Sequence, residues 1–167
     1  MLNDAAFMRY SRQLMLEEFG PQAQEKLQMA KVLIVGLGGL GSPAALYLAA
    51  AGVGTLFLAD DDPLHITNLQ RQILYRTADL DQPKAVLAKR ELLRLNPLCE
   101  AGAITERLSG ERLVNAVSGV DIVLDCSDNI ETRHSVNKAC VDAGKTLISG
   151  SAVGFSGQLR VLEAPYT

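Results

Sequence analysis

A chain of 167 residues, 48% hydrophobic and 21% charged, has the size and composition of one globular domain, predicted to span residues 1–167. Its formal net charge of −3 provides no basic surface for nucleic acid or an anionic membrane, so any nucleotide contact is expected to be local. The polar N-terminus does not resemble a secretory leader, and no apolar run approaches about 18 residues, which together predict a cytoplasmic protein without a membrane span.

The N-terminal 30 residues are predicted to be helical. Residues 4–19 have an amphipathic pattern, and a second short helix over 22–29 leads into the first strand. Arg12 lies off the apolar face, where a solvated arginine is the simplest interpretation of the pattern. The apolar face consists of Phe7, Tyr10, Leu14 and Met15.

The stretch 31–60 predicts a nucleotide site. It contains a buried strand (31–35), a glycine-rich turn, a helix (43–51) and a second strand (55–58) that ends at Asp60. Glycines let backbone N–H groups approach a phosphate, the helix N-terminus favours an anion, and an acid at this distance can accept hydrogen bonds from ribose hydroxyls. NAD, FAD, SAM and ATP all use this unit, and a tight turn without a ligand is the alternative. The turn contains Gly36, Gly38, Gly39 and Gly41.

A long polar stretch follows Asp60 and predicts a functional loop. It is followed by a helix over 82–95, whose first turn holds Lys84. Because a cation is mildly unfavourable there, this lysine either faces an anion or extends into solvent. His65 has no partner at metal-ligand spacing and is interpreted as a surface residue. The polar cluster of the loop comprises Asn68, Gln70, Arg71, Gln72 and Arg76.

The second half of the chain continues the alternation of strands and helices. We expect strands over 98–104, 120–125, 146–149 and 158–162, and helices over 109–118, capped by Ser109, and 131–143. This alternation predicts an α/β fold with a doubly wound, mainly parallel Rossmann-like sheet and additional N-terminal helices. The segment DCSDN follows the 120–125 strand, so Asp128 and Asn129 are expected at the ligand-binding edge, capping the next helix, contacting a ligand, or both.

The polar residues favour reaction at phosphorus over hydride transfer. A nicotinamide enzyme has little use for two arginines, a lysine and a second acid near its phosphates, whereas nucleotidyl transfer needs fixed cations and a carboxylate-held metal. The three cysteines have no CxxC spacing, and Cys126 and Cys140 are expected to be buried thiols rather than nucleophiles. The groups that this chemistry would use are Arg12, Asn68, Arg71, Lys84 and Asp128, in addition to Asp60.

Seven segments, in order, resemble the ThiF/MoeB/HesA family, the bacterial relatives of the ubiquitin-activating enzymes. They are RYSRQ, VLIVGLGGLGSP, LADDD, TNLQRQ, QPK, LDCSDN and AVGFSGQL, and the resemblance extends over nearly the whole chain. The resemblance implies ATP-dependent adenylation of the C-terminal glycine carboxylate of a ubiquitin-like sulfur-carrier protein, with release of pyrophosphate. It also implies a homodimer.

The resemblance also implies residue roles. Asp60 would bind the ribose, Gly39 would hold the nucleotide with the rest of the turn, and Asp128 would be the Mg²⁺-associated acid beside Asn129. Arg12 would reach the site of the partner subunit. Three further residues, Asn68, Arg71 and Lys84, would contact the phosphates.

The resemblance leaves two questions open, the identity of the carrier protein and the completeness of the chain. The segment around Gly154 favours the branch that acts on the thiamin carrier ThiS, and the alternative is the molybdopterin carrier MoaD. The family usually has two CxxC pairs that bind zinc; they are absent here, so the chain is expected to be a fragment or a shortened relative without an assignable zinc or carrier-docking segment. An NAD(P)-dependent oxidoreductase and a non-catalytic nucleotide-binding domain are the rival functions.

Overall fold

The computed structural model describes residues 2–164 and is built around one six-stranded sheet. The strand order is β3-β2-β1-β4-β5-β6, and every neighbouring pair is parallel except β5 and β6. The prediction of a doubly wound, mainly parallel sheet is therefore confirmed. The strands are β1 (Lys31–Val35), β2 (Thr55–Ala59), β3 (Glu100–Ile104), β4 (Ile122–Asp125), β5 (Thr146–Val153) and β6 (Ser156–Leu162).

Helices cover both faces of this sheet. On one face, Ala45 and Leu92 belong to a core with Ile34 of β1; on the other, Leu113 and Val136 pack with Leu33. Alternate residues of β1 therefore enter opposite cores, as expected for a central parallel strand buried on both sides. The helices are α1 (Asp4–Arg9), α2 (Ser11–Leu14), α3 (Gly20–Met29), α4 (Gly41–Ala51), α5 (Lys84–Leu95), α6 (Gly110–Ser118) and α7 (Ile130–Ala143).

The N-terminal region differs from the sequence prediction. A single helix was expected over 4–19. The structure has two short helices instead, separated at Tyr10, whose backbone is not helical. Tyr10 is fully buried and its hydroxyl accepts a 2.8 Å hydrogen bond from Asn96, whereas Phe7 and Met15 of the expected apolar face are exposed. The tertiary contact of Tyr10 overrides the local periodicity.

The C-terminal strands also differ from the prediction. Both extend beyond the expected ranges 146–149 and 158–162 into the glycine-rich residues between them, and they form a hairpin that turns at Gly154, where φ is +58°. Glycine accepts this left-handed conformation without strain. In the part of the chain that the structure describes, no helix is long and apolar enough to cross a membrane.

Candidate functional site

A cavity of about 710 Å³ lies at the carboxyl ends of the parallel strands. Open α/β sheets bind ligands at this edge, near the point where strand order reverses between β1 and β4. Of the sequence-predicted site residues, Gly41 and Arg12 do not line it. Those that do are Gly36, Gly38, Gly39, Asp60, Asn68, Arg71, Lys84, Asp128 and Asn129.

The glycine turn is packed too tightly for side chains at two positions. Gly36 has φ +88°, and a Cβ there would lie 2.9 Å from the carbonyl carbon of Cys126. A Cβ on Gly41 would lie 1.8 Å from the carbonyl oxygen of Gly36. Gly41 therefore contributes by closing the turn beneath the cavity rather than by lining it.

Arg71 lies across the exposed side of this turn. A Cβ on Gly39 would be 3.3 Å from Cδ of Arg71, so the arginine side chain covers that glycine. Its Nη1 donates to the Thr67 carbonyl oxygen and to Oε1 of Gln70, both at 3.2 Å. The guanidinium is thereby held beside the N-terminus of α4, where both would attract an anion.

Asp60 connects the end of β2 to the glycine turn. Its Oδ2 accepts a 2.7 Å hydrogen bond from the Leu37 backbone N–H, and its Oδ1 accepts one of 3.0 Å from the Asp62 N–H. Burial raises the pKa of Asp60, while these hydrogen bonds and the Lys84 charge oppose the rise. Each carboxylate oxygen retains a lone pair for a ligand hydroxyl.

Lys84 is almost completely buried at the first position of α5. Its Nζ lies 3.1 Å from Oδ2 of Asp62 and 3.9 Å from Oδ1 of Asp60. Of the two interpretations that its position allowed, extension into bulk solvent is wrong and contact with anions is confirmed. The buried ammonium faces the cavity together with two carboxylates.

The loop after β4 places Asp128 and Asn129 on the opposite wall. Both are exposed, and Oδ1 of Asn129 accepts a 2.9 Å hydrogen bond from the Thr132 N–H, which caps α7 as predicted. Ser109 is likewise the N-cap residue of α6, but its side chain makes no capping hydrogen bond. Asn68 is half-buried, and its side-chain oxygen accepts from the His65 N–H.

Sequence reasoning missed an ion pair beneath this wall. Arg133 of α7 lies 3.5 Å from the fully buried carboxylate of Asp125 and donates to the carbonyl oxygens of Ser127 and, at 2.8 Å, Gly150. Asp125 also accepts from the backbone N–H and hydroxyl of Ser127. The only sequence signal was a buried acid at the end of a strand, because its partner comes from the next helix.

Two further cavity residues were not predicted as site residues. Arg107, from the loop between β3 and α6, donates from Nη2 to Asn129 at 3.3 Å and to Thr132 at 3.4 Å. Gln72 was assigned only to the polar loop cluster, yet it is buried and lines the cavity. Both lie close in sequence to elements of the site, which is the only signal that could have identified them.

The remaining predicted groups lie away from the cavity or are chemically unreactive. Arg12 is exposed on α2. Burial raises the pKa of each thiol, Cys99, Cys126 and Cys140, to about 11. Cys140 is buried as expected, whereas Cys126 is half-buried and lines the cavity. His65 is exposed and has a local partner, since its Nδ1 lies 3.0 Å from Oγ1 of Thr67.

Comparison with known proteins settles the family to which this fold and cavity belong. The family model described as "ThiF family" matches residues 10–167. The chain belongs to the ThiF family. The resemblance deduced from the seven segments is therefore confirmed.

Two curated proteins and one solved structure illustrate this relationship. The chain is 55% identical over 165 residues to the sulfur carrier protein ThiS adenylyltransferase of Escherichia coli (strain K12), covering 99% of this chain and 66% of that protein. It is 50% identical to the adenylyltransferase and sulfurtransferase MOCS3 of Drosophila yakuba, covering 92% and 34%. E. coli MccB, solved with AMPCPP and MccA, aligns with a TM-score of 0.80 at 31% identity, covering 91% and 47%. The chain thus spans less than two thirds of each of these relatives.

Proposed function

We propose that this ThiF-family chain carries out ATP-dependent adenylation of the C-terminal glycine carboxylate of a ubiquitin-like sulfur-carrier protein. The observation that carries the proposal is one cavity in which Arg71 covers the glycine turn, Asp60 is hydrogen-bonded to that turn, and the buried Lys84 lies beside Asp60. The names of the E. coli and Drosophila relatives support this activity, since both are adenylyltransferases.

The reaction joins two anions, so charge neutralisation is its main requirement. A carboxylate oxygen of the carrier attacks the α-phosphorus of ATP, the bond from that phosphorus to the bridging oxygen breaks, and pyrophosphate leaves with its electron pair. The carboxylate is already ionised near neutral pH, so no general base is needed. Arg71, Lys84 and the N-terminus of α4 would stabilise the negative charge that spreads over the phosphate oxygens.

The oxygen ligands at the cavity fit Mg²⁺. The carboxylates of Asp60, Asp61 and Asp62 have oxygens within 4.8 Å of one another, and Asp128 lies on the facing wall. Hard oxygen ligands suit Mg²⁺, which usually takes one or two carboxylates plus substrate phosphates. We propose Asp128 as the associated acid; the ion would supply charge neutralisation for the departing pyrophosphate.

The residues present do not fit the zinc ion expected from the family resemblance. Within residues 2–164, no group of cysteines or histidines is placed to hold a metal, and the three thiols are isolated and rarely ionised. No step of the proposed reaction passes through zinc.

The ThiS-type carrier is the favoured substrate. The higher identity to the ThiS adenylyltransferase, 55% against 50% for MOCS3, agrees with the preference drawn from the segment around Gly154. Adenylation of a MoaD-type carrier is the second candidate, and the MOCS3 match supports it. Comparing the two carriers at equal concentration in one exchange assay would decide between them.

We further propose that the enzyme is a homodimer in which Arg12 acts on the partner's nucleotide. The support is that Arg12 is exposed on α2 and does not line the cavity of its own chain. Two inactive variants, Arg12→Ala and Arg71→Ala, should therefore regain activity when mixed, because one hybrid site would hold both arginines. If the mixture stays inactive although the two variants exchange subunits, Arg12 acts differently.

Ligand preference tests the proposed function against its rivals. We expect saturating Mg-ATP, at about 100 times its dissociation constant, to raise the unfolding temperature by about 5 to 10 °C. NAD⁺ at the same concentration should produce a much smaller shift. A larger shift with NAD⁺ would favour the oxidoreductase, and Mg-ATP binding without turnover in the presence of carrier would favour a non-catalytic nucleotide-binding domain.

A further inference from the structure

The backbone of Leu37, within the glycine turn, is held by hydrogen bonds on both sides. Its N–H donates a 2.7 Å hydrogen bond to Oδ2 of Asp60, and its carbonyl oxygen accepts one of 2.9 Å from the hydroxyl of Tyr75. Leu37 and Tyr75 are both buried, and neither lines the cavity. Tyr75 therefore contacts the glycine turn from the core of the protein, away from the side that a ligand would reach.

The hydroxyl of Tyr75 is a permanent donor to this carbonyl oxygen. A buried carbonyl oxygen requires a hydrogen-bond donor, and Tyr75 supplies the only one that residues 2–164 provide to Leu37. Burial, and then the nearby charge of Asp60, raise the pKa of Tyr75 above its usual value, so the hydroxyl keeps its proton. A phenylalanine would fill the same space but would leave the carbonyl oxygen of Leu37 without a donor.

The same hydrogen bond sets the direction of the next N–H group. The Leu37 carbonyl and the Gly38 N–H belong to one planar trans peptide group, in which the C=O and N–H bonds point in opposite directions. Because the oxygen points to Tyr75 in the core, the N–H of Gly38 points away from it, and Gly38 lines the cavity. No acceptor for this N–H is found among residues 2–164. The turn thus has a backbone donor that is available to an anion.

The loop between β2 and α5 contacts the glycine turn on two sides. Arg71 covers Gly39 on the exposed side, and Tyr75 of the same loop binds Leu37 on the core side. The loop backbone is itself fixed near Tyr75, whose N–H donates to the carbonyl oxygen of Gln72 at 3.2 Å. One segment of chain therefore places both a cation and a backbone donor at the turn.

We propose that Tyr75 is a positioning residue for nucleotide binding, whose hydroxyl holds the Leu37–Gly38 peptide group so that the Gly38 N–H donates to a phosphate oxygen. The inference rests on the proposed function, because it assumes that the cavity takes ATP. The N–H of Leu37 belongs to the preceding peptide group and stays bonded to Asp60 when the hydroxyl is removed. Loss of the hydroxyl should therefore weaken binding of the phosphates and leave binding of the nucleoside unchanged.

Calorimetric titration of Tyr75→Phe tests this inference. We expect Mg-ATP to bind this variant about five- to tenfold more weakly than the wild type, because a hydrogen bond to a charged group is partly lost when the peptide group is no longer held. Adenosine should bind both proteins equally, because it has no phosphate. In NMR spectra, the Gly38 amide proton of the wild type should shift on addition of Mg-ATP but not of adenosine, and the shift should be smaller in Tyr75→Phe.

Tyr10 provides the matched control. It is also buried, its hydroxyl is hydrogen-bonded to Asn96, and it does not line the cavity. Tyr10→Phe and Tyr75→Phe should each lower the unfolding temperature by about 2 to 4 °C, as expected for loss of one buried hydrogen bond in a chain of this size. Only Tyr75→Phe should weaken Mg-ATP binding, so a purely structural role of the hydroxyl would be distinguished from positioning.

Several outcomes would overturn the inference. They are equal Mg-ATP affinity of Tyr75→Phe and the wild type, an equal loss of Mg-ATP affinity in Tyr10→Phe, and an equal loss of adenosine affinity in Tyr75→Phe. An unchanged Gly38 amide signal in wild-type protein saturated with Mg-ATP would also overturn it, and this result requires no variant to fold. Failure of the wild type itself to bind Mg-ATP would instead overturn the proposed function.

Discussion

The carboxylate of Asp60 accepts a 2.7 Å hydrogen bond from the backbone N–H of Leu37, which fixes the end of β2 to the glycine turn. The second carboxylate oxygen accepts from the Asp62 N–H. The acid proposed to bind ribose is thereby held by the turn proposed to bind phosphate, so the two halves of the nucleotide site have a fixed separation.

This arrangement predicts a ribose-dependent effect of Asp60→Asn. The wild type should bind ATP about 10 to 100 times more tightly than 2′-deoxy-ATP, as expected for a hydrogen bond to a charged acceptor. Asp60→Asn should bind ATP more weakly and discriminate less between the two nucleotides. Titration of both proteins with both nucleotides measures the coupling, and full discrimination retained by the variant would place the ribose elsewhere.

A matched pair of glycine substitutions tests which glycine the packing of the turn requires. Gly41→Ala should lower the free energy of unfolding by about 1 to 3 kcal/mol or more, because its Cβ would lie 1.8 Å from a backbone oxygen that cannot move aside. Gly39→Ala should leave stability nearly unchanged, because it meets only the flexible side chain of Arg71. Denaturant unfolding of both variants provides the measurement; equal destabilisation would contradict this view of the turn.

The Arg133–Asp125 pair predicts a large stability effect from a residue that sequence reasoning missed. Arg133→Met should cost about 3 to 5 kcal/mol, since it leaves the buried Asp125 carboxylate without its cation. Arg107→Met is the control, because this exposed arginine makes only long contacts and should cost less than about 1 kcal/mol. Similar unfolding free energies for the two variants would rule out a structural role for the buried pair.

The Asp79–Arg90 pair predicts part of the loss of folding stability at acid pH. Two hydrogen bonds of 2.9 and 2.6 Å from the Arg90 guanidinium lower the pKa of Asp79. Asp79 therefore contributes its full stabilisation when the pH is above its unfolded-state pKa of about 3.9. This contribution is lost as the pH falls through the lower pKa that Asp79 has in the folded protein. Asp79→Asn should be less stable than wild type at neutral pH, and the difference should shrink as the pH falls below about 4; a difference independent of pH would refute this assignment.

Elements and site residues could be predicted from the sequence where the contacts that determine them lie close together along the chain. The bounds of β1 were predicted correctly, because an apolar run followed by a glycine turn specifies its own limits. The cavity residues from the glycine turn, Asp60 and the loops after β2 and β4 could be predicted for a related reason, since parallel strands bring their carboxyl ends to one edge. Their individual roles remain proposals.

Apart from the C-terminal hairpin, whose contacts are local, the main failures involve contacts distant in sequence. The N-terminal helix breaks because Tyr10 binds Asn96, 86 positions away. Arg133 reaches the Gly150 carbonyl 17 positions away, and nothing in the sequence around either residue indicates this contact. The burial of Gln72 in the cavity wall became apparent only in the fold.

The central claim is tested most directly by carrier-dependent exchange of radiolabelled pyrophosphate into ATP. We predict exchange with wild-type protein, Mg²⁺ and a ThiS-type carrier that ends in glycine, and an exchange rate at least about tenfold lower in Arg71→Ala and Asp128→Ala. We also predict no exchange when the carrier's terminal carboxylate is amidated. Absence of exchange with both ThiS-type and MoaD-type carriers, from folded protein that binds Mg-ATP, would contradict the central claim.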